Sequence, residues 1–549
     1  MIFRKKHHKM SQPSTRDEQI FYDDSSIYDE GFLRNDPEKD CQKEGDLDLV
    51  INREKKEEAI PQPEEEKKGF FHLFLPKKNK KLSPNRYMFF TCFFVVLLFF
   101  AMIAYMIHFM IVDRQTVINS PYNMRTQNLT DHVVRGSILS SDQKVLAVTT
   151  TDKAGNEKRY YPFGEIFSHV VGYTIHGKAG LESSCNFDLL TSHADIFTQI
   201  RNGVVQRKNQ GDDIITTLDS QLQEAAYDAL GDYDGAIIAI EPKTGKIRAM
   251  VSKPDFDPNT LEDMWSDLVT DSANSVLLNR CTQGLYPPGS TYKVIMALEY
   301  MNEHEDDFND FQYNCSGETV VNSVRIHCYE NEEHGQVNLE EAFAQSCNTA
   351  FVTLGSQLNR RKYISLNEEF LFNSAISCDL SVAKSQFKIT MKSDKNQLPQ
   401  TSIGQGDTLM TPLHNALIMC AIANDGVMMR PTLLEEIKSY DGITIKTYES
   451  SSLMELSNKD HLSMLQKMLR KAVTDGTASA LSDTSYTVAG KTGSAENEKE
   501  KAHSWFVGYS NVEDPDLVVC VIVENAGTGS KYAVPMAKKV FDAYYKLED

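Results

Sequence analysis

Between Tyr87 and Val112 the chain runs YMFFTCFFVVLLFFAMIAYMIHFMIV, 26 residues without an aspartate, glutamate, lysine or arginine. As a helix this stretch is about 39 Å long, enough to cross a hydrocarbon core of ~30 Å with some tilt. It lacks the polar face of a buried core helix. A secretory signal has a shorter apolar region with a small-residue cleavage site, and it does not begin 86 residues into a chain. His108, near the far end, reads as an interfacial residue. Lys77, Lys78, Lys80, Lys81 and Arg86 crowd the leading flank, whereas Asp113 and Arg114 follow the run. This asymmetry predicts a cytoplasmic N-terminus and an exported remainder. No later stretch is long and apolar enough to return, so a single-pass anchor is expected.

The 549 residues suggest two to four domains, and 41% hydrophobic with 24% charged residues is ordinary for folded protein. The formal net charge of −20 argues against gripping nucleic acid, where basic patches supply most of the affinity. Residues 1–86 hold 18 Lys/Arg and 18 Asp/Glu, so the acidity belongs entirely to the rest of the chain. A segment that is 36 charges in 86 residues buries too little apolar surface to offset chain entropy, and a disordered, solvated cytoplasmic tail is expected.

Residues 113–215 mix short β-like runs, such as Val145 to Thr151, with polar turns and show no catalytic cluster. They read as an extracytoplasmic pedestal. From 216 to 549 the pattern changes. A helical stretch follows Asp219, and two apolar runs, Gly235 to Glu241 and Lys246 to Val251, flank Pro242-Lys243-Thr244-Gly245 as a hairpin does. Helical runs are expected at Leu339 to Leu358, Thr411 to Ala423 and Asp460 to Val473. Three strands then run through Tyr486 to Gly490, Ser504 to Tyr509 and Leu517 to Val523, before a last helix over Pro535 to Tyr545. Helices between early and late strands predict an α+β fold, its antiparallel sheet assembled from both ends of the segment.

Three short motifs occur in order: Ser290-Thr291-Tyr292-Lys293, Ser346-Cys347-Asn348 and Lys491-Thr492-Gly493. Singly they are weak, since about two S-x-x-K matches arise by chance in a chain this long. Ser141/Lys144, Ser381/Lys384 and Ser385/Lys388 also fit, Ser184-Cys185-Asn186 and Ser272-Ala273-Asn274 are spare S-x-N matches, and Lys243-Thr244-Gly245 is a second K-T-G. Context separates them. Only Ser290 follows a Tyr286-Pro287-Pro288-Gly289 loop and opens an apolar helix, where serine and lysine three residues apart share a face. Apolar surroundings lower a lysine's pKa enough for its neutral amine to act as a base, and a helix start favours a developing oxyanion. The lysines near 384 and 388 sit in polar sequence, and Lys243 is explained by its turn. Lys491-Thr492-Gly493 lies beside a strand pattern, where glycine admits a substrate backbone. Ser346 and Asn348 fall in a helical stretch that a short polar break would open toward a cleft.

The ordered set S-x-x-K, S-x-N and K-T-G resembles that of the penicillin-binding proteins and serine β-lactamases. The longer strings YPPGSTYKVIMAL, HGQVNLEEAFAQSCNTAF, GQGDTLMTPLHNALIMCAIANDGV and AGKTGSAE look like a class B penicillin-binding protein, and RGSILSSDQKVLA resembles the opening of that family's juxtamembrane domain. The resemblance implies a transpeptidase fold, an antiparallel sheet packed with helices plus an all-helical subdomain, carried on a mainly β pedestal in a bacterial plasma membrane. It implies that Ser290 attacks the penultimate D-alanine carbonyl of a stem peptide while Lys293 takes its proton. Ser346 would relay a proton to the leaving amine, Asn348 would hold the substrate amide, and Lys491 would offer positive potential and polarise Ser346. Thr492 and Ser494 would bind the terminal carboxylate beside Gly493, and the backbone N–H groups of Ser290 and Ser494 would form an oxyanion hole. The implied partners are D-Ala-D-Ala stem peptides, β-lactams and a polytopic polymerase of the shape, elongation, division and sporulation family. No cofactor is implied.

Eight of the ten cysteines fall after Val112, and Cys315 with Cys328 makes the most plausible disulfide pair. His327 and His334 lie near them, but a Cys-x12-Cys spacing lacks the close paired ligands of structural zinc motifs, so no metal site is expected. Two other functions compete: a membrane-anchored D,D-carboxypeptidase or β-lactamase, which would pass the acyl group to water, and a β-lactam or cell-wall sensor or scaffold signalling through the charged tail.

Overall fold

The structure, a computed structural model, describes residues 84–110, 129–271, 274–497 and 501–548. The expected cytoplasmic tail, apart from its last residues, the flanking Asp113 and Arg114, and Ser272 and Ala273 of the spare S-x-N match lie outside them. Helix α1 (Pro84–His108) occupies the apolar run, with proline at its first position, where the missing N–H costs nothing. Its 25 residues span about 37 Å, and the apolar side chains that it presents are exposed.

The pedestal region contributes β1 (Ile138–Leu139), β2 (Val145–Thr151), β3 (Glu157–Tyr160) and β4 (Asp213–Thr216). Next come α2 (Ser220–Leu230), β5 (Gly235–Ile240), β6 (Ile247–Lys253) and α3 (Lys293–Glu303). Four short strands, β7 (Gln312–Cys315), β8 (Glu318–Val321), β9 (Val324–His327) and β10 (Gly335–Asn338), lead into α4 (Leu339–Ala344) and α5 (Asn348–Gln357). After these follow α6 (Pro412–Ala423), β11 (Leu434–Lys438), β12 (Thr444–Thr447), α7 (Leu462–Thr474), β13 (Val488–Ala495), β14 (His503–Ser510), β15 (Val518–Val523) and α8 (Ala533–Glu548).

The main sheet has the order β13-β14-β15-β5-β6, antiparallel throughout, so early and late strands meet at its centre as the sequence predicts. Each strand sends alternate side chains to opposite faces. Ile237, Ala239, Val519 and Val521 pack with α2 and α8, while Ile238, Ile240, Cys520 and Ile522 join the larger core on the other face. That arrangement explains why these strands read as unbroken apolar runs. Helix α6 supports the second face and is buried on every side, its N-terminus capped by the Thr411 hydroxyl, which accepts from the His414 N–H at 3.1 Å. Between α3 and α4 the chain forms two small two-stranded sheets, β8-β9 and β10-β7, which pack against α4 and α5.

The pedestal sheet is larger than its own sequence segment. Its order is β12-β11-β4-β1-β2-β3, so two strands from residues 434–447 complete it. Strand β11 pairs antiparallel with β4, Ile437 opposite Ile214. Its buried core is organised by Glu182, fully enclosed, which accepts from Arg135 Nε at 2.6 Å and Arg159 Nε at 2.7 Å. Burial alone would push the Glu182 carboxyl up, but the two guanidiniums more than offset this and hold it below the usual range. Replacing Glu182 with leucine would leave two guanidiniums buried without a counter-charge. We expect a loss of about 3–5 kcal/mol, read as an earlier unfolding midpoint in urea. The depressed carboxyl makes its contribution fully above the ordinary glutamate range and loses it as pH falls through the folded value.

Candidate active site

The loop before Ser290 is fixed on both sides. The Tyr286 N–H donates to the Met410 carbonyl at 3.1 Å, the Gly289 N–H donates to the Gly404 carbonyl at 2.9 Å, and the Trp505 indole donates to the Pro287 carbonyl at 3.0 Å. Gly289 has φ +54°, and a Cβ there would meet the Ser494 carbonyl oxygen at 2.9 Å, so glycine serves both the turn and the close approach. A 3-10 turn over Gly289–Tyr292 then feeds α3. Ser290 is half-buried at this turn and Lys293 is fully buried at the start of the helix.

The expected helix from Leu339 to Leu358 is broken where the polar residues fall. Helix α4 ends at Ala344, α5 begins at Asn348, and Ser346 between them takes a left-handed φ of 59°. This conformation, costly for a side-chain-bearing residue, turns the segment toward α3. Lys293 Nζ donates to the Ser346 carbonyl at 2.6 Å, to Asn348 Oδ1 at 2.7 Å and to Ser346 Oγ at 3.3 Å. Asn348 Nδ2 in turn donates to the His327 carbonyl of β9 at 2.9 Å. The lysine is thus held by the S-x-N segment; the Ser290 hydroxyl is not among its hydrogen-bond partners.

Strand β13 carries Lys491 to Ser494 and, among the described residues, is an edge strand paired only with β14. Its other side lies against the Ser290 turn: a Cβ on Gly493 would come within 3.1 Å of Thr291 Cγ2 and 3.2 Å of the Pro288 carbonyl oxygen. Lys491 is fully buried, and its Nζ donates to the Thr492 carbonyl at 3.2 Å rather than to Ser346. The Thr492 hydroxyl pairs with that of Thr477, and Ser494 Oγ accepts from the Gly529 N–H at 3.4 Å. Burial lowers the Lys293 amine to about 8, while burial and the nearby Lys293 charge hold Lys491 well below the ordinary lysine range. The structure therefore brings Ser290, Lys293, Ser346, Asn348, Lys491, Thr492, Gly493 and Ser494 to one place.

The spare motifs lie elsewhere. Lys384 and Lys388 are exposed, Lys243 is half-exposed in the β5–β6 turn beside Asp514, and Asn186 accepts from Arg135 in the pedestal core. Two features escape sequence reading. Glu524 accepts from the Tyr286 hydroxyl at 2.6 Å and Arg280 Nε at 2.7 Å, tying the loop before Ser290 to the end of β15 across more than two hundred residues. The second is the surrounding of Cys315 and Cys328. Both are free thiols with Sγ atoms 3.7 Å apart, not joined as expected, and Cys347 and His334 close around them, giving four metal-capable side chains where none was expected. The spacing Cys-x12-Cys-x5-His-x12-Cys was the available signal.

Residues 235–542 match the family model described as penicillin binding protein transpeptidase domain, and residues 135–214 match that of the penicillin binding protein A dimerisation domain. The chain belongs to the penicillin-binding transpeptidases. It is 31% identical over 438 residues to a protein named peptidoglycan D,D-transpeptidase PbpA of Mycolicibacterium smegmatis, covering 74% of this chain and 88% of that one. Over 447 residues it is 28% identical to the peptidoglycan D,D-transpeptidase MrdA of Acinetobacter baumannii, covering 70% of this chain and 65% of the other. Among solved structures, the imipenem acyl-enzyme of penicillin-binding protein A from M. tuberculosis superposes with a TM-score of 0.70 at 29% identity, covering 76% of this chain and 99% of that one. In this penicillin-binding transpeptidase the three motifs meet at the edge of the main sheet, beside the starts of α3 and α5.

Proposed function

We propose that the protein cross-links peptidoglycan by acyl transfer through Ser290. The observation that carries this reading is the convergence of the Ser290 turn, the buried Lys293 held by Ser346 and Asn348, and the open edge of β13. The neutral Lys293 amine takes the hydroxyl proton as Oγ attacks the penultimate D-alanine carbonyl of a stem peptide. The backbone N–H groups of Ser290 and Ser494 receive the oxyanion. Ser346 passes a proton to the departing D-alanine, and an amine from a second stem peptide resolves the acyl-enzyme. Asn348 holds the substrate amide, and Lys491, Thr492 and Ser494 hold its carboxylate where the small Gly493 admits the backbone. β-Lactams enter by the same attack and stay as the acyl-enzyme.

The assignments that accompany this reading are a cytoplasmic tail to residue 86, a membrane helix over residues 87–112, a pedestal over 113–215 and a catalytic region from 216 to 549. The basic leading flank supports an extracytoplasmic catalytic region in a bacterial plasma membrane. A polytopic polymerase of the shape, elongation, division and sporulation family is the assigned supplier of glycan strands.

The test is turnover of a stem peptide ending in D-Ala-D-Ala with an amine acceptor, using the full chain. Release of D-alanine matched by cross-linked product is expected. Release without cross-linking would make the protein a carboxypeptidase, and rapid loss of a penicillin adduct would make it a β-lactamase. Stable acylation with no turnover, coupled to an output lost on deleting residues 1–80, would make it a sensor.

A further inference from the structure

We infer that the short helix Ile196–Val204 of the pedestal lies in the membrane surface, its apolar side pressed into an anionic phospholipid layer. Its sequence, IFTQIRNGV, places Ile196, Phe197, Ile200 and Val204 within an arc of about 100° around the helix axis. A surface helix of a globular protein turns such a stripe toward the core. Here it points outward. Phe197 is 80% exposed, Val204 79%, Ile196 67% and Ile200 59%, and Val205 continues the patch at 54%. None of the nine helical residues is buried. The half-buried ones are the polar Thr198 and Asn202, so the helix meets the pedestal with its polar side. On that side Asn202 Nδ2 donates to Asn209 Oδ1 at 3.0 Å.

The conformation is fixed locally rather than by packing of the stripe. Asp195 caps the helix, its carboxylate accepting from the Phe197 N–H at 2.9 Å and the Thr198 N–H at 3.1 Å. An apolar side, a polar side and basic residues together describe a helix that lies in an interface between water and lipid.

Charge and tether select the occupant. From Asp195 to Lys208, the basic residues Arg201, Arg207 and Lys208 face a single carboxylate, that of Asp195, in a chain whose net charge is −20. Arg201 and Arg207 are exposed, and anionic headgroups complement them. Just beyond the helix, the chain is fixed to the stretch by which the polypeptide enters the pedestal. Lys208 Nζ donates to the Thr130 carbonyl at 2.7 Å, and the Asn209 N–H donates to the His132 carbonyl at 2.9 Å. Asn209 and Gln210 then pair in parallel with Val133 and Val134. Thr130 is 22 positions beyond His108, where α1 ends. The stripe thus sits at the end of the pedestal that the membrane tether joins, and it supplies a second foothold on lipid beside α1. Insertion to ~5–10 Å, the depth of interfacial helices, is sufficient for this. The inference rests on the assignment of α1 as a membrane helix and is independent of the acyl-transfer reading.

The test uses the full chain reconstituted in vesicles of phosphatidylcholine with phosphatidylglycerol, and tryptophan fluorescence as the readout. The native chain, which has only Trp265 and Trp505, is the blank. The signal added by Phe197→Trp should fall by about half or more when the acyl chains are dibrominated, and Ile200→Trp should behave alike should one variant fold poorly. Gln199→Trp, outside the stripe, should lose no more than about a tenth. If the chain floats with the vesicles but neither stripe tryptophan is quenched, this inference alone is overturned. A chain that does not float would overturn it together with the membrane assignment of α1. Equal quenching of Gln199→Trp would overturn the orientation of the helix. Equal quenching of Phe197→Trp in vesicles of phosphatidylcholine alone would overturn the role given to the basic residues. A dimer in detergent that Phe197→Asp dissociates, with no quenching in vesicles, would assign the stripe to a second copy of the chain instead.

Discussion

Ser290→Ala should leave a folded protein that no longer forms a penicillin adduct, with acyl transfer reduced on the order of 10⁶-fold, the scale on which removal of a serine nucleophile acts. The substitution removes one half-buried hydroxyl at the turn. The hydrogen bonds that shape the loop run from the Gly289 N–H to Gly404 and from the Trp505 indole to Pro287, and neither involves that oxygen. A thermal melt unchanged within experimental error, alongside a fluorescent-penicillin signal at background, is the expected pair of results. Persistent labelling at another serine would transfer the nucleophile's role and refute the assignment.

Lys293→Met should lower the rate of acylation by benzylpenicillin by about 10²–10⁴, the range for loss of a positioned general base. Methionine fills a similar apolar volume, although it leaves the Ser346 carbonyl and Asn348 Oδ1 without their donor, so some stability is lost too. The pH profile separates base catalysis from simple disturbance. Burial lowers Lys293 to about 8, so the reactive neutral amine grows as pH rises through that value. Native acylation should climb between pH 7 and 9 and then level, since about a tenth of the lysines are neutral one unit below the pKa. The methionine variant should show no such rise. A climb of the same size in both would assign the titration to another group.

What was legible in the sequence follows the reach of each physical signal. The β5–β6 hairpin could be read because its apolar runs and Gly245 turn lie within twenty residues, and the structure pairs Ile240 with Ile247 across it. Ser290 was singled out by a proline-glycine loop opening an apolar helix, and that local grammar is what the 3-10 turn expresses. The polar trio Ser346-Cys347-Asn348 interrupts an apolar helical pattern, so a break there was legible, and the structure has it between Ala344 and Asn348; what the sequence did not show is that Lys293 holds the Ser346 carbonyl and the Asn348 side-chain amide. Partners far apart in the chain left no local mark. Nothing in Leu434–Lys438 announces a neighbour at Asp213–Thr216, and Glu524 gives no sign of Tyr286. The metal-capable cluster was passed over because each gap between ligands was judged alone, whereas the fold folds β7, β9 and the start of α5 onto one point.

The strand that β11 lends to the pedestal sheet also sets where this molecule can be cut. A catalytic fragment starting after Thr216 would carry Leu434–Lys438 with its β4 partner gone, leaving the backbone groups of one margin open to solvent and to other copies. Such a fragment would tend to stick to itself even though every residue of the candidate site was present. Conversely, a protease nicking the link between β4 and α2 would release nothing, since both halves would remain laced together through Ile214 and Ile437. The pedestal is thus a graft sharing fibres with the catalytic body, and the two should melt in a single transition.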